Sequence, residues 1–258
     1  MQGRIWFPPL LRSLQMTIFI TSSPYIDGAD RAILNPQNGF VDRLRAVLPP
    51  NPRVLFVCSN PNDHEGTCRF GADTVSAFAM AGMAFSSYHI LDGENAEDAP
   101  YLVAESDLIV LGGGHVPTQL DFFDSIHLRE LLADYGGTVM GISAGSMNMA
   151  SEVYIQPEEP GESVPSFCRF APGLGLADVS ILPHYQKARH YMLDGKRLYE
   201  DITYADSFGH TFFALPDGSY FYQDDDGLLL CGTAYRIQNG IIEILTIDEE
   251  VLDMNDLV

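Results

Sequence analysis

The sequence predicts an α/β fold, with a mostly parallel central sheet, helices on both of its faces and an antiparallel extension late in the chain. Three observations predict it. Short apolar β-prone runs alternate with helical patterns from Thr17 to Ser151, the arrangement that builds parallel sheets with helices on each side. Two glycine-rich clusters, Gly112-Gly113-Gly114 and Gly141-Ile142-Ser143-Ala144-Gly145, fall at the carboxyl ends of such runs, where parallel sheets bind ligands. From Thr211 onward, short β-prone segments follow one another with turn residues and no helix between them.

The elements follow in order. Thr17–Thr21 opens the sheet, and a helix over Asn38–Val47 ends before Pro49-Pro50, which cannot continue it. Arg53–Cys58 is a second strand, Gly71–Gly82 a helix of small residues, and Ser87–Leu91 a third strand. Ala96–Ala104 is helical, and Asp107–Leu111 is a fourth strand that runs into the glycine triplet. A long helix spans Pro117–Tyr135, stopped by Gly136-Gly137. Gly137–Met140 is the fifth strand, and a helix starts after Ser143. The late strands are Thr211–Leu215, Ser219–Tyr222, Leu228–Cys231, Ala234–Ile237 and Ile241–Thr246, with Asn239-Gly240 as a hairpin turn.

A chain of 258 residues can bury one sizeable core, and no linker or repeat divides it, so one domain is expected over 16–258. Residues 1–15 are basic and apolar, but Pro8-Pro9 interrupts them and no small-residue cleavage site follows. They are expected to be a poorly ordered extension ahead of a native start at Met16. The net charge of −21, from 35 acidic and 14 basic side chains, repels phosphate backbones and anionic lipid, which argues against nucleic acid or membrane partners. No apolar run reaches the ~18 residues of a membrane span. Cys58, Cys68, Cys168 and Cys231 show no metal-ligand spacing and read as reduced, mostly buried thiols of a cytoplasmic protein.

The pattern G-x-S-x-G between a strand and a helix is that of a serine presented on a sharp turn, a nucleophile elbow, with Ser143 as the nucleophile. A serine hydroxyl needs a base to take its proton. Of seven histidines, His184 in Ile181-Leu182-Pro183-His184 ends an apolar run, the place for a base across a parallel sheet from the serine; His190 and His210 are the substitutes. His127, within a helical pattern, and His89, within a strand, read as structural. The histidine in turn needs a carboxylate behind it. Asp217, in Pro216-Asp217-Gly218, competes for this role with Glu158 or Glu159, fifteen and sixteen residues after the serine. The triplet Gly112–Gly114 offers backbone N–H groups to an oxyanion, since no Cβ blocks the approach. It is not a phosphate loop, because His115-Val116-Pro117 follows in place of G-K-[ST].

Three segments together, Leu108–Gly114, Gly141–Asn148, and Gly173–Leu176 followed by Ile181–Tyr185, resemble the aspartyl dipeptidase (peptidase E) and cyanophycinase family, within the class I glutamine-amidotransferase-like superfamily. The resemblance runs from Met16 through the late strands. It implies a three-layer α/β/α sandwich and a metal- and cofactor-free serine peptidase acting on small peptides. Ser143 would be the nucleophile, His184 its base, and the N–H groups of Gly113 or Gly114 and of Ala144 the oxyanion hole. The family's acid falls on the stretch of Asp217 in one assignment and on Glu158 in another. His115 stands where the family commonly has asparagine, beside the substrate. Aspartate specificity requires cations, and Arg169, Lys187 and Arg189 flank the site.

Two other readings compete. An α/β-hydrolase esterase would order its triad Ser, Asp, His, with Asp178 or Asp206 ahead of His184 or His210. A non-catalytic member of the superfamily would bind a ligand without turnover. An amidotransferase proper would need cysteine at 143. Monomer and homodimer stay equally open.

Overall fold

The computed structural model describes residues 16–255, so the extension expected over 1–15 lies outside the described residues. The first half runs β1 (Thr17–Thr21), α1 (Phe40–Val47), β2 (Arg53–Val57), α2 (His64–Met80), β3 (Ser87–Leu91) and α3 (Ala99–Ala104). It continues through β4 (Leu108–Leu111), α4 (Val116–Ser125), α5 (Leu128–Leu132), β5 (Thr138–Ile142) and α6 (Ala144–Met147). Short pieces follow: β6 (Glu152–Tyr154), β7 (Phe170–Pro172), β8 (Ile181–Leu182), α7 (Tyr185–Ala188), β9 (Met192–Leu193), β10 (Lys196–Arg197) and α8 (Tyr204–Asp206). The chain closes with β11 (Thr211–Ala214), β12 (Tyr220–Asp224), β13 (Gly227–Cys231), β14 (Ala234–Gln238), β15 (Ile241–Thr246) and β16 (Val251–Asp253).

The main sheet has eight strands in the order β16-β13-β12-β1-β5-β4-β2-β3. Strands β1, β5, β4, β2 and β3 are mutually parallel, and β12, β13 and β16 extend the β1 edge in antiparallel fashion. Alternate residues of the parallel strands feed two separate cores. Ile18, Leu55, Ile109 and Val139 pack into one, while Phe19, Phe56, Val110 and Met140 pack into the other. Both faces are therefore covered, which is why a strand such as Leu-Ile-Val-Leu (108–111) reads as continuously apolar rather than alternating. The fold is mixed α/β, with a large, mostly parallel central sheet.

Several boundaries differ from expectation. Helix α2 starts at His64, ahead of the small-residue stretch, because Asp63 caps it by accepting from the Gly66 N–H at 2.9 Å. The long helix expected over 117–135 breaks into α4 and α5 at His127, whose φ of 53° ends one helix and starts the next. That histidine is a hinge, not a helix-interior residue. The helix after Ser143 is only one turn.

The late strands divide between two sheets. While β12, β13 and β16 join the main sheet, β11, β14 and β15 form a second sheet with β8, in the order β15-β14-β11-β8. Since β8 pairs with β11 in parallel over two residues, His184 hangs from this second sheet and not from the main one. The loop from β11 to β12 crosses between the sheets and carries Asp217. One buried cluster, including Ile18, Leu55, Phe212 and Ile237, runs through both.

Candidate active site

Strand β5 ends at Ile142, and Ser143 takes φ 52° and ψ −114°, a backbone that L side chains rarely adopt. Holding it costs on the order of 1–3 kcal/mol. The flanking glycines make the turn possible. A Cβ on Gly141 would stand 2.6 Å from Ser146 Cα, and one on Gly145 would strike the Leu111 carbonyl oxygen. Ser146 then fastens the turn to β1: its hydroxyl donates to the Thr21 carbonyl and accepts from the Thr21 N–H, both at 2.8 Å. Gly141→Ala is expected to destabilise by about 2–3 kcal/mol, because packed backbone must move to admit the methyl. Chemical denaturation would read it as a lower midpoint at unchanged slope.

His184, also left-handed at φ 55°, aims its ring at the serine. Nε2 lies 2.9 Å from Ser143 Oγ, and Nδ1 lies 2.6 Å from Asp217 Oδ1. Three further groups hold the carboxylate. Ser22 Oγ donates to Oδ1 at 2.9 Å, Gln186 Nε2 donates to Oδ2 at 2.6 Å, and Lys187 Nζ approaches Oδ2 at 3.3 Å. Burial alone would raise the Asp217 carboxyl. The His184 hydrogen bond and charge, with the Ser22 and Gln186 donors, outweigh burial and hold it at about 2. It is therefore a carboxylate throughout the physiological range. With Nδ1–H fixed on that carboxylate, Nε2 is left as the acceptor facing the serine hydroxyl.

Gly113 comes within van der Waals reach of the serine, since a Cβ built on it would be 3.3 Å from Ser143 Cβ. Gln119 fixes the glycine turn by donating to the Gly112 carbonyl at 2.7 Å. Among the described residues, the N–H groups of Gly113, Gly114 and Ala144 have no hydrogen-bond partner. A cavity of about 670 Å³ opens over Ser143, lined also by Gly113, Gly114, Met147, Glu158 and His184. A slightly larger groove, near 720 Å³, lies by Thr17, Asp107 and Thr138 at the opposite ends of the strands, away from this chemistry.

Ser143, His184, Asp217, Gly113, Gly114 and Ala144 thus meet in one place. Other candidates do not. Glu158 lines the cavity but makes no hydrogen bond to His184. Arg169 is engaged with Asp206 at 3.0 Å and the Glu162 carbonyl at 2.8 Å, and Arg189 donates to His190 at 3.0 Å; neither lines the cavity. Lys187 does line it, but its ammonium is 2.6 Å from Asp27 as well as near Asp217. His115 is also displaced from the wall: Nδ1 meets Thr118 at 2.8 Å and Nε2 meets Glu162 at 3.0 Å. Asp178 accepts from Ser151, Asp206 pairs with Tyr154 and Arg169, and His210 pairs with Glu152, so neither aspartate of the esterase order Ser, Asp, His stands behind the histidine at the serine.

His115, Glu159 and Glu162 offer three potential metal-ligand atoms within 4.8 Å of one another. Glu162 is already used, however. One oxygen meets His115 and the other accepts the Glu158 and Glu159 N–H groups at 2.8 and 3.0 Å, which shapes the loop and lowers the Glu162 carboxyl despite its burial. A second nucleophile–imidazole–carboxylate line, Cys68–His64–Asp92, has sulfur 3.3 Å from Nε2 and Nδ1 2.6 Å from Asp92. None of its members lines the cavity over Ser143. Cys68 is half-buried and Cys168 exposed, so burial covers only Cys58 and Cys231 of the four thiols.

Sequence reasoning missed Ser22, Gln186 and Gln119. The available signal was position: Ser22 follows the end of β1 beside the glycine clusters, and Gln186 sits two residues after the base.

A mostly parallel sheet with a serine, an imidazole and a carboxylate in line at its carboxyl edge defines a serine hydrolase. The model of peptidase family S51 matches residues 33–231. The chain belongs to that family and is a serine peptidase. Two solved structures share its fold. A peptidase from an acI-B1 Actinobacterium superposes with a TM-score of 0.62 at 16% identity, covering 93% of this chain and 98% of the other. A putative peptidase E protein from Listeria monocytogenes EGD-e gives 0.57 at 17% identity, covering 90% and 100%. No curated protein matches the chain in sequence. Among the described residues, no helix is long and apolar enough to cross a membrane.

Proposed function

We propose that the chain, as a single α/β domain over 16–258, hydrolyses small peptides through an acyl-enzyme on Ser143. His184 Nε2 takes the hydroxyl proton as Oγ attacks the peptide carbonyl, and Asp217 steadies the imidazolium. The tetrahedral oxyanion meets the N–H groups of Ala144 and of Gly113 or Gly114, in the role of pre-aimed donors worth about 3 kcal/mol apiece to the barrier. His184 then gives its proton to the leaving amine. A water, deprotonated by the same nitrogen, frees the acid product. The observation that carries this reading is the unbroken line from Ser143 Oγ through His184 to Asp217, at 2.9 and 2.6 Å.

That line has the order Ser, His, Asp, which favours the peptidase over the esterase. The half-open cavity of about 670 Å³ has room for a short peptide. A cytoplasmic location belongs to the same proposal, supported by four free cysteines. A fluorophosphonate probe tests the nucleophile: the adduct is expected on Ser143 by peptide mapping. No adduct on the wild type, while a control hydrolase labels fully, would favour the non-catalytic binder.

A further inference from the structure

The cavity over Ser143 is walled by apolar groups. Tyr25, Phe70, Met147, Tyr191, Leu193 and Leu198 line it. The Tyr25 hydroxyl is engaged with Thr74 at 2.9 Å, so this residue offers its ring. Two charged side chains besides His184 face the same space, Lys187 and Glu158, and they differ in one respect. Lys187 is satisfied, with Asp27 and Asp217 on its ammonium. Glu158 is not: its carboxylate makes no ion pair or hydrogen bond among the described residues. Only its backbone is tied down, through the Glu158 N–H donated to Glu162, which His115 holds in turn.

The Glu158 carboxylate is exposed to solvent where it lines this half-open cavity, and with no partner of its own it is free to pair with a cation on the ligand. In a peptide, the α-amino nitrogen of the first residue lies only about 2.5 Å from that residue's carbonyl carbon, by standard backbone geometry. A group that binds this ammonium must therefore share a cavity with the nucleophile, as Glu158 does with Ser143. We propose that Glu158 binds the free α-ammonium of the substrate and that the apolar wall receives the first side chain. The enzyme is then an aminopeptidase-type hydrolase of small peptides beginning with leucine, methionine or a similar residue, rather than with aspartate. A substrate aspartate would face the Glu158 charge and find Lys187 already neutralised by two carboxylates. This rests on the hydrolytic reading of Ser143 for its chemistry, but binding tests it independently.

Protein packed around the cavity wall pushes the Glu158 carboxyl up to about 7, although the residue keeps a surface open to the cavity and solvent; the His115 and His184 charges act against that rise, and Glu162 and Glu159 add to it. Binding an ammonium requires the ionised form, so affinity should fall below neutral pH. It should fall again as the amine, with an ordinary pKa near 8, loses its proton.

The test uses Ser143→Ala, which holds a peptide without cleaving it, and Ser143→Ala/Glu158→Gln. Calorimetry with Leu-Ala, N-acetyl-Leu-Ala and Asp-Ala reads Kd. In the single variant, Leu-Ala is expected to bind about tenfold more tightly than its acetylated form, the scale of a charge-assisted hydrogen bond at a solvent-open site, and at least about tenfold more tightly than Asp-Ala. In the double variant the penalty for acetylation should shrink to within about threefold. Retention of the full penalty there, equal binding of Asp-Ala, or no binding of Leu-Ala would each overturn the assignment. Wild-type turnover separates the two ideas: binding through Glu158 with no cleavage by the wild type would defeat the hydrolytic reading alone. Turnover that ignores both Glu158→Gln and acetylation would defeat this one alone.

Discussion

Ser143→Ala is expected to lower kcat by about 10⁶-fold, the loss seen when the nucleophile of a serine triad is removed, while the melting temperature moves by no more than about 2 °C. The two readouts separate because the serine contributes little to stability beyond its contact with His184. Alanine must still occupy φ 52° and ψ −114°, so the strain remains. Glycine at the same position relieves it. Ser143→Gly should be just as inactive yet about 1 kcal/mol more stable, since relief of backbone strain exceeds the added chain entropy. An inactive alanine variant with an unfolded profile would mean that the serine is structural. An active one, free of contaminating wild type, would mean that the nucleophile lies elsewhere.

Asp217→Asn should cost about 10⁴ in kcat, because an amide presents the wrong partner to Nδ1–H and the imidazole can turn to the unproductive tautomer. Glu158→Gln should leave a smaller deficit, concentrated in KM for peptides with a free amino group. If Glu158→Gln instead gave the 10⁴ loss and Asp217→Asn did not, the acid of the triad would be misassigned. The same aspartate predicts a stability profile. Its folded pKa, about 2, is below its ordinary 3.8, so it contributes above the unfolded value and that contribution is lost as pH falls through the folded one. The shift corresponds to about 2 kcal/mol. The gap between wild type and Asp217→Asn should be constant above about pH 4 and shrink steadily toward pH 2.

Much of the parallel half was legible in the sequence because its signals are local. Leu108–Leu111 is apolar at every position since both faces are covered, and the glycines around Ser143 mark a turn that a Cβ would obstruct. The partition of the late strands was not legible. Nothing within Thr211–Thr246 says that Tyr220–Asp224 pairs with β1 while Thr211–Ala214 pairs with β8, because strand partners are chosen by distant surfaces. The short α6 and the break at His127 escaped for a related reason: each depends on what packs over it. The candidate site divides the same way. Ser143 and His184 announce themselves through neighbouring residues. Lys187 is quenched by Asp27, 160 positions earlier, and no motif around either residue records that.

Ser22 touches Ser143, His184 and Asp217 alike. Its carbonyl accepts the Ser143 N–H at 3.0 Å, its hydroxyl accepts the His184 N–H at 2.7 Å, and the same hydroxyl donates to Asp217. The three residues of the proposed triad, from two sheets and three distant stretches of chain, are thus all pegged to one small side chain and its backbone. Any drift at the seam between the sheets loosens the pegs before either sheet melts. Catalysis in this enzyme is therefore a gauge of alignment at that seam, and on gentle heating it should fade ahead of any loss of strand or helix.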